Sequence, residues 1–304
     1  MKPRQIISDN EIIVVLDTST VRNLAFVSEP PSWVTTFAKM SRDGYSFSLA
    51  DAAAAELLNQ VRSNRTIISK HKQSIEWVST FLNPEIRVLP GGIDVQRMID
   101  STDIRHAEET RHLADIAWEM LLHPLEEDVE DRRPFDELLD EDRDEWMSYL
   151  ADTDEHLYMF GLDVRRSDPT LVKDYLIDLL AGAIDKGESI FPPFSTRRHL
   201  EIRYRVRQYV RTTLTKKPYN PASKKNRNDG IDLTLYDYLM LPALVLANDS
   251  GFYSSLNDID SFQKSWFMTP EKLASEWLEG KRPHPKWPEC SVDEEDEDLQ
   301  GVNF

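Results

Sequence analysis

Cysteine is almost absent from this chain of 304 residues, since Cys290 is the only one. A single thiol cannot build an intrachain disulfide framework, and it cannot supply the several thiolates of a structural zinc site. We therefore expect a protein of a reducing compartment, the cytoplasm, that folds through its hydrophobic core.

Long hydrophobic runs are absent as well. No stretch approaches the roughly 20 apolar residues of a transmembrane helix, and the opening residues, MKPRQIISDN, lack the apolar stretch of a secretory signal. Hydrophobic residues still make up 40% of the chain, with twelve Phe, ten Tyr and seven Trp. This composition predicts a soluble globular protein with no membrane partner.

Positive charges are outnumbered, since 36 Lys and Arg stand against 54 Asp and Glu and the formal net charge is -18. Such a balance argues against binding a polyanion unless the charges are segregated along the chain. They are: residues 126–155 hold fifteen Asp or Glu and three Arg, a net of -12, whereas residues 197–227 hold eleven Lys or Arg and one Glu, a net of +10. The second span, here called the basic segment, is a candidate for binding nucleic acid.

Apolar runs alternate with helical patterns at both ends of the chain. Strands are predicted at 12–16, 45–49, 86–89 and 243–247, and an Ala-rich helix at 49–63 that buries Ala53, Ala54, Leu57, Leu58 and Val61. Strands that alternate with helices favour a mostly parallel sheet, whereas residues 95–215 show mainly helical periodicity. The predicted organisation is an α/β domain in two parts, 1–90 and 225–285, a helical insertion at 91–224, and an acidic, disordered tail at 286–304.

Two of the predicted strands are followed by carboxylates. Asp17 follows IIVVL, and Asp249 follows ALVLA after one Asn. The carboxyl ends of parallel strands share one edge of a sheet, so these acids are expected to lie close together. A single Asp more often caps a helix or ends a turn, but several converging carboxylates need a cation, and oxygen ligands of this kind suit Mg²⁺ or Mn²⁺.

The order of the motifs, hhhhDTST, SLADAAAAEL, NDGID and hhhANDSGF with h an apolar residue, resembles that of the PIN-domain nucleases. The resemblance covers about 1–90 and 225–260. It implies metal-binding roles for four acids, Asp17, Glu56, Asp232 and Asp249, with Asp229 as a competitor of Asp232. It also implies support from the hydroxyl of Thr18 or Ser19, and Asn248 is added to these supporting residues.

The implied fold is a PIN-like parallel sheet flanked by helices, with a large mainly helical insertion. The implied activity is metal-dependent hydrolysis of phosphodiester bonds, with RNA favoured over DNA. In the basic segment, Arg203, Arg207 and Arg211 repeat every four residues on one helical face, and Lys224, Lys225 and Arg227 follow in a basic loop. These six residues are predicted to hold the substrate backbone, although pairing with the acidic residues 126–155 is the alternative for the arginines.

Two other functions stay open. A phosphatase of the haloacid-dehalogenase type also begins with a strand ending in Asp, but that family has a second Asp where this chain has Ser19. A catalytically inactive PIN-like scaffold that binds nucleic acid or protein is the other alternative. The sequence also leaves open a role as a toxin or defence effector, an inhibitory or activating protein partner, and assembly into homo-oligomers.

Overall fold

Five strands form one parallel sheet in the computed structural model, in the order β3-β2-β1-β4-β5. The strands are β1 (Ile12–Leu16), β2 (Tyr45–Ala50), β3 (Val88–Leu89), β4 (Ala243–Leu246) and β5 (Phe267–Met268). The four predicted strands are confirmed, although β3 is shorter than the predicted 86–89. The structure describes residues 7, 10–91, 104–126, 144, 147–148, 150–155, 157–159, 163, 168, 171–172, 220, 234–241, 243–250, 252–253 and 262–285.

Helices flank the sheet. They are α1 (Thr18–Arg22), α2 (Ser32–Met40), α3 (Asp51–Arg62), α4 (Ile68–Ser79), α5 (Ile104–Leu122) and α6 (Pro270–Leu278). Helix α1 contacts α3 and α4, both of which also contact α5, and α2 contacts α6. All five residues predicted on the apolar face of α3 are buried. A parallel sheet flanked by helices confirms the predicted α/β class.

The core lies on both faces of the sheet. Consecutive residues of β2 and β4 are all buried, which requires cover on both sides of each strand. On one side, Phe37 of α2 stacks on Phe47 of β2 with ring centroids 4.7 Å apart, and Phe81 meets the Phe47 ring edge-on at 5.3 Å. These aromatic contacts fix β2 against α2.

Helix α5 lies within the predicted insertion, yet it packs on the α/β domain. It contacts α3, α4 and β3, and its Trp118 is buried with the Arg87 guanidinium 5.5 Å from the ring centroid. His71 of α4 also meets this helix, because its Nε2 lies 2.8 Å from the Leu121 carbonyl oxygen. This helix of the predicted insertion is therefore part of the same core.

Several predicted features lie outside the residues that the structure describes. They include the tail at 286–304 and nearly all of the basic segment, with Arg203, Arg207, Arg211, Lys224, Lys225 and Arg227. Of the helices that are described, none is both long enough and apolar enough to span a membrane.

Candidate metal site at the switch point of the sheet

Strand β1 lies at the centre of the sheet, and the chain builds outward from it in both directions. It proceeds through β2 to β3 on one side, and the later strands β4 and β5 extend the other side. The direction therefore reverses between β1 and β4, and ligands of open parallel sheets bind beyond the carboxyl ends at such a switch point. Asp17 follows β1 at this place, and Asn248 and Asp249 follow β4.

Asp17 is buried, with 9% of its surface exposed, and it caps α1. Its Oδ2 accepts hydrogen bonds from Ser19 N at 3.0 Å and Ser19 Oγ at 2.6 Å, while its own backbone N donates to the Leu246 carbonyl at 2.9 Å. The common role of a single Asp, helix capping, is thus confirmed for this residue. Capping alone does not require that the carboxylate be buried beside another acid.

Glu56 is the second acid at this place. Burial raises the pKa of Asp17, the hydrogen bonds from Ser19 oppose that rise, and the negative charge of Glu56 adds to it. The two carboxylates therefore lie close enough to repel each other. Glu56 itself is half-buried, and its Oε1 accepts a hydrogen bond from Gln60 Nε2 at 3.2 Å.

Hydroxyl groups of α1 connect this pair to the end of β4. Ser19 Oγ accepts a hydrogen bond from the backbone N of Asn248 at 2.7 Å, and Thr20 Oγ1 donates to the Leu246 carbonyl at 3.0 Å. Ser19 takes part in these contacts through its hydroxyl and Asn248 through its backbone amide, while their predicted support of a metal ligand stays a prediction. The ends of β1 and β4 are held together by polar contacts as well as by strand pairing.

Asp249 lies at the same edge, but its side chain is exposed and has a local partner. Its Oδ1 accepts a hydrogen bond from Phe252 N at 3.1 Å, which caps the turn after β4. A metal ligand at this position would combine both roles.

Two further residues stand beside the acids. Thr18 is 2% exposed, and its Oγ1 has no hydrogen-bond partner within the described part of the chain. Tyr253 is half-buried and donates from its hydroxyl to the Ala247 carbonyl at 3.1 Å. Burial raises the pKa of Tyr253, and the charge of Asp17 contributes to that rise. The sequence analysis did not select this residue.

The predicted four-acid set is not assembled among the residues that the structure describes. Asp229 and Asp232 lie outside them. Within the described ranges, no group of three or more His, Cys, Asp or Glu side chains is arranged to hold a metal ion. The charge of Glu56 acts on the buried Asp17, and Asp249 lies just after the neighbouring strand β4.

Asp51 is an acid that the sequence analysis missed. It directly follows β2, as Asp17 directly follows β1, so the same pattern of an apolar strand ending in Asp was visible in the sequence. Its Oδ1 accepts from Ala52 N at 2.6 Å and its Oδ2 from Gly91 N at 2.8 Å.

The interpretation of the site rests on this geometry. Comparison with protein family models, curated proteins and solved structures gives no match to the chain.

Proposed function

We propose that this protein is a metal-dependent nuclease with a PIN-like domain, which hydrolyses phosphodiester bonds in RNA in preference to DNA. The observation that carries the proposal is the buried carboxylate of Asp17 beside the end of β4, on which the negative charge of Glu56 also acts. Two carboxylates that repel each other away from bulk water are stabilised by a bound proton or a cation. Oxygen ligands favour Mg²⁺ or Mn²⁺ as that cation.

The described residues offer such an ion a partial set of oxygen ligands. Asp17 and Glu56 offer carboxylate oxygens, and the buried Thr18 hydroxyl, without a partner among the described residues, leaves a polar atom to be satisfied next to Asp17. In this proposal Asp249 and either Asp232 or Asp229 complete the set of ligands.

A bound Mg²⁺ or Mn²⁺ would neutralise the acids and act as a Lewis acid towards water and phosphate oxygens. The protein's own groups have separate roles around it. Ser19 orients the Asp17 carboxylate through two hydrogen bonds, at 2.6 and 3.0 Å. The Tyr253 ring is fixed at the end of β4 by the bond from its hydroxyl to the Ala247 carbonyl.

The substrate would be held by the basic segment. In the proposal, Arg203, Arg207 and Arg211 contact successive phosphates, and Lys224, Lys225 and Arg227 extend the contact towards the acids. Phosphate contacts of this kind give affinity without reading the bases. Cleavage with little sequence preference is therefore expected.

The direct test is to incubate the purified chain with end-labelled single-stranded RNA, single-stranded DNA and duplex DNA, each with Mn²⁺, Mg²⁺ or EDTA. We expect cleavage of single-stranded RNA with either ion and none with EDTA. Glu56→Gln should abolish it, whereas Asp115→Asn, a change of an exposed acid on α5, should not.

The alternatives give different results in the same experiment. An inactive scaffold would bind the polymers without cleaving any of them under any condition. A phosphatase would leave the polymers intact and release phosphate from a small phosphomonoester such as para-nitrophenyl phosphate. Either result would overturn the proposed nuclease activity.

A further inference from the structure

Asp51 connects three segments at the carboxyl edge of the sheet. It is the first residue of α3 and directly follows β2. Besides accepting from Ala52 N within the first turn, its carboxylate accepts from Gly91 N at 2.8 Å, just beyond β3. An acid in the first turn also favours the helix through its dipole, so the start of α3 is fixed at this point.

Tyr238 supplies the third segment. It lies in a short 3-10 helix, Asp237–Met240, that precedes β4, and its side chain is fully buried. Its hydroxyl lies 2.8 Å from the Leu89 carbonyl oxygen and 3.1 Å from Asp51 Oδ1, and accepts from Asp51 N at 3.3 Å. One buried hydroxyl thus contacts both the end of β3 and the start of α3.

Gly91 shows how closely these segments approach. A Cβ atom at position 91 would lie 2.9 Å from Asp51 Oδ1 and 3.0 Å from Oδ2, closer than such atoms pack. Because the carboxylate is held by other donors, it cannot move aside without breaking them. The absence of a side chain at position 91 is therefore a requirement of this contact.

We propose that Tyr238 is a positioning residue, which acts through Asp51 to fix the first turn of α3 and thereby to place Glu56 beside Asp17. Glu56 lies five residues after Asp51 on the same helix, within the second turn. A shift of the helix start would change the distance between the two acids. The catalytic consequence rests on the proposed nuclease function, but the contact between Tyr238 and Asp51 does not.

Tyr45→Phe is a matched control for Tyr238→Phe. Tyr45 is also buried, and its hydroxyl also donates to a backbone carbonyl, that of Pro283, at 2.9 Å. Tyr45 begins β2 and so lies at the amino edge of the sheet, opposite the site. Both variants lose one buried hydroxyl. In Tyr238→Phe the hydroxyl is lost at the carboxyl edge of the sheet, and in Tyr45→Phe at the amino edge.

Hydrogen exchange measured by mass spectrometry tests the effect of the contact between Tyr238 and Asp51 without any assay of activity. In Tyr238→Phe and in Gly91→Ala, we expect the peptides covering residues 86–91 and 51–57 to exchange about tenfold faster than in the unmodified protein. Tyr45→Phe should leave these two peptides unchanged. Equal exchange in the Tyr238 and Tyr45 variants would overturn the proposal.

Cleavage of single-stranded RNA with Mn²⁺ tests the positioning of Glu56. We expect Tyr238→Phe to lower kcat about tenfold while KM stays within about twofold, because the substrate contacts are elsewhere. Unchanged kcat in a variant with faster exchange would overturn the positioning role. If the unmodified protein cleaves none of the polymers, the proposed function fails. The exchange comparison alone then decides whether Tyr238 fixes the start of α3 through Asp51.

Discussion

The hydroxyl of Ser19 donates a hydrogen bond of 2.6 Å to the Asp17 carboxylate. The same hydroxyl accepts a bond of 2.7 Å from the backbone N of Asn248, so its single proton is committed to Asp17. Ser19 therefore orients the buried acid and joins the ends of the two central strands. Both effects depend on one oxygen atom, so a substitution that removes the Ser19 hydroxyl should abolish both.

Ser19→Ala is predicted to reduce both stability and activity. It leaves the Asn248 amide without its acceptor and removes one donor to Asp17, which should cost about 1–3 kcal/mol of unfolding free energy. Loss of an orienting partner of a metal ligand should also lower cleavage about 10- to 100-fold. Urea unfolding and RNA cleavage measure the two effects.

The matched control for this variant is Ser48→Ala. Ser48 is fully buried in β2, and its Oγ donates to the Ile86 carbonyl at 2.7 Å, away from the acids. We expect a similar loss of stability with cleavage unchanged. If both serine variants lose activity in proportion to their stability, Ser19 has only a structural role.

The central strands could be predicted from the sequence because their signal is local. The run at β1 and the Ala-rich α3 carry their burial pattern in consecutive residues, and both predictions are confirmed. Asp17 was selected for the same reason, since the strand and the acid are adjacent. Its pairing with Glu56 could be expected only through the resemblance of the motifs.

The features that the sequence did not predict depend on distant contacts. Strand β5 has two residues, Phe267–Met268, too few for a period-two pattern, and it exists because it pairs with β4. Tyr238 and Asp51 are 187 positions apart, so nothing local indicates that they touch. Tyr253 was missed likewise, because its role follows from the turn after β4.

The basic segment leads to a prediction about salt. Replacing Arg203, Arg207 and Arg211 together by Ala should weaken binding to single-stranded RNA, since fewer counterions are released. If each arginine contacts one phosphate, the slope of log affinity against log salt should fall by about 2. Fluorescence anisotropy between low and moderate salt measures this slope in EDTA, where no cleavage occurs.

The control removes three other positive charges. Lys39, Arg42 and Lys72 are exposed on the α/β domain and are not part of the basic segment. Their replacement by Ala changes the net charge equally and should leave the slope within about 0.5 of the original value. An unchanged slope in the arginine variant would indicate that these side chains pair with the protein's own acids.

His71 gives a prediction about pH. Burial lowers its pKa, so the folded protein holds this proton less strongly than the unfolded chain. The neutral imidazole donates from Nε2 to the Leu121 carbonyl, and its stabilisation is complete above the unfolded pKa of about 6.5. It is lost as pH falls from there towards the folded value.

His71→Gln should therefore flatten the fall in stability between about pH 7 and pH 5, because Gln can donate to the same carbonyl without titrating. Urea unfolding at a series of pH values measures the difference between the variant and the unmodified protein. His112→Gln, at an exposed position on α5, should leave the pH dependence unchanged. A slope unaffected by His71→Gln would mean that the unfolded and folded chains bind this proton equally.

Asp17→Asn tests whether the protein is an enzyme or a scaffold, and whether Asp17 is a metal ligand or only the cap of α1. Asn can still accept from Ser19 N, so the cap of α1 remains. Burial raises the pKa of Asp17, so its protonated form stabilises the fold below the unfolded pKa of about 3.9, and this contribution is lost as pH rises through the folded pKa. At pH 7 in EDTA the variant should thus melt at the same temperature or higher, with cleavage abolished in Mn²⁺ or Mg²⁺. A lower melting temperature together with normal cleavage by the folded fraction would show that Asp17 is only a helix cap.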